Sequence, residues 1–322
     1  LVDIPDRSRK FHKRATPLTG GIGILLAVIV STEIYLDINN LKGYMPEFSQ
    51  KLYMASIPLL LIFLIDDFRP IRPIYRLFMQ IMVSLYVMIS TDVNINNLGN
   101  LFGFSEIQLG ILSIPFTIFC IVGIMNAFNM IDGINGLCAG FALVSLGALQ
   151  IASGFDVANY SLVIAMGSII GFLFYNLGFL GLKRRVFLGD NGSTFLGFLV
   201  AWTCINYSQS SENLIKPVTC LWFVAIPLLD CLGVMIGRII KGILPFSPGR
   251  DHIHHKLQLL TNSSFKTLIG LLILGTLLAG VGIFIEKSYL SSETSFALFL
   301  IFAVIYYASS SRILKIQKVI SN

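Results

Sequence analysis

Four aspartates with short polar companions hold most of the chemistry this sequence could perform. Asp66 and Asp67 are adjacent at the end of the apolar run LIFLIDD, with Arg69, Arg72 and Arg76 following. Neighbouring carboxylates repel, so a proton, a cation or an arginine has to offset them. A solvated helix end with arginine counter-charges would explain this pair alone. In MNAFNMIDGINGLCAG, Asn126, Asn129 and Asp132 recur every three residues, along one helical face if the helix extends that far, before Gly133 and Gly136 loosen the backbone. A polar C-cap and tight turn would explain the glycines and one asparagine, but not three polar residues on one face. In VFLGDNGSTFLGF, Asp190 sits on a glycine-flanked turn before a new apolar run, with Ser193 and Thr194 able to cap that helix. Mg²⁺ takes one or two carboxylates with phosphate oxygens and water, a role open to Asp190 beside the other acids.

The segment PFSPGRDHIHHKL crowds Arg250, His252, His254 and His255 together, while the remaining histidine is His12. Such a cluster suits either a transition metal or a cationic, donor-rich cradle for a diphosphate. Zinc recruits four ligands, and no nearby cysteine or further histidine completes that shell, so the sequence favours the cradle. Arg250 adds bidentate oxyanion binding, and the histidines add hydrogen bonds or a proton shuttle near neutral pH. Lys13 and Arg14 are candidates to reach the same substrate, although most charge in the basic N-terminal segment reads as topological or lipid-facing. Asp230, in PLLDCLGVMIGR, lies within an apolar stretch and reads as a structural carboxylate paired to a neighbouring helix.

The elements that must position these groups follow from composition. Of 322 residues, 55% are hydrophobic and 12% charged, with mean hydropathy +0.79, which points to an all-α, polytopic helical membrane protein. A span needs about 20 apolar residues. Ten stretches qualify, near 17–36, 51–66, 76–91, 110–129, 136–154, 159–179, 193–207, 216–237, 265–286 and 295–310. A basic segment stands directly before the first, so an eleventh, N-terminal helix is allowed for. The five cysteines fall inside apolar stretches without a CxxC pair and read as small core residues.

Starting the chain in the cytoplasm places 19 of the 23 lysines and arginines on that side and four, Lys42, Lys51, Lys216 and Lys287, on the other. The net charge of +6 is therefore topological, and no nucleic-acid partner is expected. The same orientation gathers the four aspartates, Asn129, Arg250 and all the histidines on the cytoplasmic face. Residues 1–322 read as one integral-membrane domain, with active-site loops near 1–16, 66–76, 129–136, 180–192 and 238–264.

In order, DIPDRSRKFH with TPLTGG, Asp66-Asp67 with Arg76, NAFNMIDGINGL, FLGDNGS and RDHIHHKL resemble the motifs of the polyprenyl-phosphate N-acetylhexosamine-1-phosphate transferases, from residue 3 to about 260. The Arg-Asp-His spacing of the last motif resembles the WecA-like branch, related to MraY. The resemblance implies a glycosyltransferase of the bacterial inner membrane, dependent on Mg²⁺ or alternatively Mn²⁺, that works amid membrane lipid from the cytoplasmic side. Its reaction would take UDP-N-acetylglucosamine and undecaprenyl phosphate to undecaprenyl diphosphate-GlcNAc and UMP, beginning a lipid-linked cell-surface glycan such as an O-antigen. The implied roles are metal binding for Asp190, catalysis for Asp66, Asp67 and Asp132, and substrate binding for Asn129, Arg76, Arg250, His252, His254 and His255. Asn135 departs from the pattern, because many relatives carry a second aspartate there. Another N-acetyl sugar, a secondary transporter or an anion-binding protein without turnover stay open, as does the oligomeric state, a homodimer included. A transporter would predict midplane polar residues and internal repeats.

Overall fold

In a bilayer the backbone must satisfy its own hydrogen bonds, and an α-helix does so within one segment. The computed structural model describes residues 2–3, 15–41, 47–69, 71–154, 160–210, 214–244, 249 and 251–320. Among them are twelve helices: α1 Gly20–Ile38, α2 Glu47–Phe68, α3 Pro73–Thr91, α4 Ser113–Ile131, α5 Leu137–Ala152, α6 Tyr160–Asn176, α7 Gly189–Gln209, α8 Pro217–Phe223, α9 Ala225–Ile240, α10 Ile253–Thr261, α11 Ser264–Lys287 and α12 Ser292–Ile320. All ten apolar stretches fall on helices, one of them on the α8–α9 pair, and α10 is added. Arg250, Lys13, Arg14 and His12 lie outside the described residues.

The protein is an all-α, multi-pass membrane protein. Among the described residues, five helices are long and apolar enough to cross a bilayer: Gly20–Ile38, Pro73–Thr91, Gly110–Ile131, Ser264–Lys287 and Ser292–Ser311. α8 and α9 make a sixth span if taken as one broken segment, bent by 83°. Large apolar side chains such as Leu26 and Val30 of α1, Leu277 and Phe284 of α11 and Val304 of α12 are more than half exposed, an outward surface suited to lipid.

α7 is the centre of the bundle. A helix buried on all sides must be apolar all round or satisfy its polar groups locally. Phe195, Phe198 and Trp202 are within 2% of complete burial, and α7 packs on α4, α2, α1 and α5. α4 runs against it through Gly197, where an added Cβ would lie 2.7 Å from Met125 Cα. Small residues at such crossings let backbones approach closely. The two helices run in opposite directions, so one turn beyond Met125 brings Asn129 to Ser193, and the next brings the end of α4 to the start of α7.

The N-terminal segment is laid along that start. Val2–Asp3 pairs antiparallel with Thr16–Pro17. Phe187 N–H then donates to Pro17 O at 2.8 Å, Gly20 N–H to Phe187 O at 3.0 Å and Gly21 N–H to Leu188 O at 3.2 Å. A side chain at Gly21 would run into Asn191 and Gly192, so the TGG sequence is what permits α1 to lie against FLGDNG.

Candidate active site

Four chain segments meet at this end of the bundle. The α2–α3 turn supplies Asp66, Asp67 and Arg76. Asp66 Oδ1 accepts from Ile71 N–H at 2.6 Å, and its Oδ2 lies 3.0 Å from Arg76 Nη1. The pair left ambiguous by sequence thus divides: Asp66 folds its own turn and is charge-compensated, whereas Asp67 reaches across and accepts from Asn191 Nδ2 at 2.5 Å. The same arginine nitrogen lies 3.5 Å from Asp190 Oδ2, so a single guanidinium serves two carboxylates.

The end of α4 supplies the second segment. Asn129 Nδ2 donates to Ser193 Oγ at 2.9 Å, whereas Asn126 Nδ2 turns to Gln80 Oε1 on α3 at 3.0 Å. The expected face of three polar residues is therefore split between two neighbouring helices. Helix α4 stops at Ile131, and Asp132 is its C-cap, with φ −75° and ψ 49°. Burial first, and then the charge of Asp190, push the Asp132 carboxyl up to about 8. Gly136, at φ +82°, begins α5 from the left-handed region that glycine tolerates.

Asp190 lies in the first turn of α7, where backbone N–H groups and the helix dipole favour an anion. Its side chain is 48% exposed, against 8% for Asp66, so it is the more open of these two arginine-bound acids. Ser193 and Thr194 do not cap the helix as expected from sequence. The helix already starts at Gly189, and Ser193 Oγ donates back to Gly189 O at 3.2 Å.

The histidine segment departs from a cationic cradle. His252 Nδ1 lies 2.7 Å from Asp230 Oδ2, both buried, so Asp230 is paired to a neighbouring segment, as anticipated from sequence. His254 is 1% exposed, and among the described residues neither ring nitrogen has a hydrogen-bond partner. Burial, followed by the adjoining His255 and His252 rings, pushes His254 down to about 3, so it is neutral near pH 7. It packs on Gly133, where an added Cβ would come 2.7 Å from its Cδ2. His255 follows, its ring centroid 4.1 Å from that of His254. Whatever this segment binds, His254 adds no positive charge to it.

Asn191 was missed by sequence reasoning. It is fully buried, and it binds Asp67 while approaching Leu18 O at 3.5 Å, tying α2, α7 and the TPLTGG segment together. Its only signal was its place beside Asp190 in FLGDNGS.

Among the described residues no three His, Cys, Asp or Glu side chains form a ready-made metal shell. Mg²⁺ needs only one or two carboxylates when phosphate oxygens and water supply the rest. Asp190, near enough to Asp67 and Asp132 to act on the titration of both and sharing Arg76 with Asp66, fits that requirement.

The acids and the shared arginine gather at one end of a helical membrane bundle, and similarity places the protein among the phosphoglycosyl transferases. A profile of glycosyl transferase family 4 matches residues 49–208, which include the Asp66-Asp67, NAFNMIDGINGL and FLGDNGS motifs. The chain is 34% identical over 325 residues to the undecaprenyl-phosphate alpha-N-acetylglucosaminyl 1-phosphate transferase of Escherichia coli strain K12, covering 99% of this chain and 86% of that protein. The equivalently named proteins of Yersinia pestis and Haemophilus influenzae are 35% identical over 312 residues and 33% over 328 residues. They cover 95% and 99% of this chain, and 83% and 88% of their own lengths. The chain belongs to glycosyl transferase family 4.

Proposed function

We propose that this enzyme transfers N-acetylglucosamine 1-phosphate from UDP-GlcNAc to undecaprenyl phosphate, giving undecaprenyl diphosphate-GlcNAc and UMP. The observation that carries the reading is the meeting of Asp66, Asp67, Asp132 and Asp190 with Arg76 and Asn129 at one end of the bundle, in a chain similar along nearly its whole length to transferases named for that reaction. An oxygen of the lipid phosphate attacks the sugar-bearing phosphorus of UDP-GlcNAc. The bond between that phosphorus and the oxygen bridging to the uridine phosphate breaks, and UMP leaves with the bridging oxygen. The sugar keeps its own bond to phosphate.

Both reactants are anions, so the work of the site is to align them while offsetting charge. Mg²⁺, held by Asp190 with Asp67 or Asp132 beside it, supplies neutralisation of the diphosphate when bound; Mn²⁺ has the same ligand preference. Asp67 positions the acceptor phosphate and takes its proton. Arg76 restrains Asp190 and Asp66, Asn129 and Asp132 contact the nucleotide sugar, and Arg250 with His255 and the neutral His254 holds diphosphate oxygens. With the ten apolar stretches taken as spans of an inner membrane, the excess of basic residues on the site's side supports a site facing the cytoplasm.

The test is UMP release by the purified, detergent-solubilised protein given UDP-GlcNAc, undecaprenyl phosphate and Mg²⁺. Lipid-dependent UMP is expected. Activity only with another UDP-N-acetylhexosamine would correct the sugar, and silence with all of them would overturn the reading. In the same assay Gly133→Ala is expected to lose about 100-fold in kcat/KM, because the methyl group displaces His254 from the Asp132 turn. A rate within threefold of wild type would remove His254 from the site.

A further inference from the structure

Asp230 and Arg238 lie eight residues apart on α9, about two turns along one face, and each grips the segment that leads into α10. Asp230 Oδ2 lies 2.7 Å from His252 Nδ1. Its other oxygen accepts from Ile253 N–H at 2.7 Å and from the Tyr306 hydroxyl of α12 at 3.4 Å. Arg238 Nε lies 3.6 Å from Asp251 Oδ2. Consecutive residues, an acid and a histidine, are thus held by a base and an acid on one helix, and that helix is turned 83° away from α8.

A carboxylate within an apolar span is costly unless paired, and a buried ion pair is weak evidence for stability as such. Here the carboxylate has an oriented imidazole as its product. The His252 ring lies nearly parallel to that of His254, 6° between planes and 5.9 Å between centroids. His254 in turn packs on Gly133, the residue after Asp132.

We propose that Asp230 is a positioning residue for the transfer reaction: it fixes the His252 tautomer through Nδ1 and, through the Ile253 amide, the register at which α10 meets the Asp132 turn. The assignment rests on the function proposed above. With Nδ1–H donated to Asp230, the neutral ring keeps Nε2 as an acceptor. An amide at position 230 offers an N–H in place of one carboxylate oxygen, which favours the opposite tautomer, with Nε2 a donor. In the serine protease triad the equivalent exchange costs about 10⁴ in kcat with the geometry intact. Arg238 and Asp251 anchor the same segment one residue earlier, so the strand into α10 is fixed at two points.

The experiment compares wild type, Asp230→Asn, Asp230→Glu, His252→Gln and the Asp230→Asn/His252→Gln double variant for UMP release, with thermal midpoints in the same detergent. Asp230→Asn is expected to lower kcat by about 100-fold or more, with KM for UDP-GlcNAc changed less than fivefold and the midpoint within a few degrees. Asp230→Glu is expected to recover part of the rate. In the His252→Gln background the same Asp230 change is expected to cost less than about threefold, because asparagine keeps an acceptor oxygen for the Ile253 amide and the ring that senses the lost carboxylate is gone. An undiminished loss in that background, a near-wild-type rate for Asp230→Asn, or a near-wild-type rate for His252→Gln each overturns the assignment. The last measurement decides even where Asp230→Asn does not fold. Silence of the wild type toward every UDP-N-acetylhexosamine overturns the reaction itself, and is distinguished by being seen before any substitution is made.

Discussion

Asp190→Asn is expected to reduce UMP release by at least about a thousandfold, equivalent to about 4 kcal/mol of transition-state stabilisation, while the protein remains folded. Asparagine keeps the shape and one acceptor oxygen, so the contacts toward Arg76 and Asn129 need not collapse. What is lost is a full negative charge at the most open position of the arginine-bridged pair. A carboxylate in the first turn of a helix contributes only about 0.3–1 kcal/mol to stability. Activity and stability should therefore separate. Raising Mg²⁺ is expected not to restore the rate, because the missing group is the ligand that holds the cation beside the diphosphate. Undiminished Mg²⁺-dependent turnover in the variant would remove Asp190 from that role and leave Asp67 and Asp132 as the candidates.

The helices were legible because long apolar runs have few other uses, and every stretch marked from sequence falls on helix, five of the described helices being long and apolar enough to cross a bilayer. The break between α8 and α9 was not. Residues 216–237 read as one continuous apolar run, and nothing local marks the 83° turn at Val224 except Pro227 just inside α9. The start of α7 was misplaced for a related reason. The apolar run records where side chains become buried, whereas the helix begins four residues before Ser193, at Gly189.

Within the site, residue types were legible and partnerships were not. Asp132 and Asp190 were each chosen from local pattern, yet what joins them is the antiparallel register of α4 on α7, set by close approach at Gly197, a residue with no chemistry of its own. His252 was grouped with its neighbours because three imidazoles in four residues suggest one task. Its partner Asp230 lies 22 residues earlier on another helix, and only tertiary structure assigns the ring to that carboxylate. Sequence spacing also treats every histidine as a potential cation, whereas burial decides that His254 is not.

The second large effect concerns pH. A carboxyl raised to about 8 is mostly protonated near neutrality in the unliganded enzyme, and its ionised fraction falls about tenfold for each unit below that value. If the reaction uses Asp132 as a carboxylate, kcat/KM is expected to fall by about 50-fold between pH 8 and pH 6, since kcat/KM reports groups of the free enzyme. A cation beside Asp190 opposes the charge that helps raise this group, so higher Mg²⁺ should move the inflection to lower pH, with protons released as the metal binds. Asp132→Asn is expected to be slower by about a thousandfold at pH 8, and to lose the inflection altogether, because the titrating group is gone. The measurement is UMP release at saturating lipid and low UDP-GlcNAc, from pH 5.5 to 9 at two Mg²⁺ concentrations. A wild-type profile flat above pH 6, or an inflection that survives in Asp132→Asn, would mean that Asp132 acts as a neutral hydrogen-bond donor to the nucleotide sugar. The carboxylate chemistry would then rest on Asp67 alone, the base proposed above, which accepts from the Asn191 amide and the Asp190 backbone.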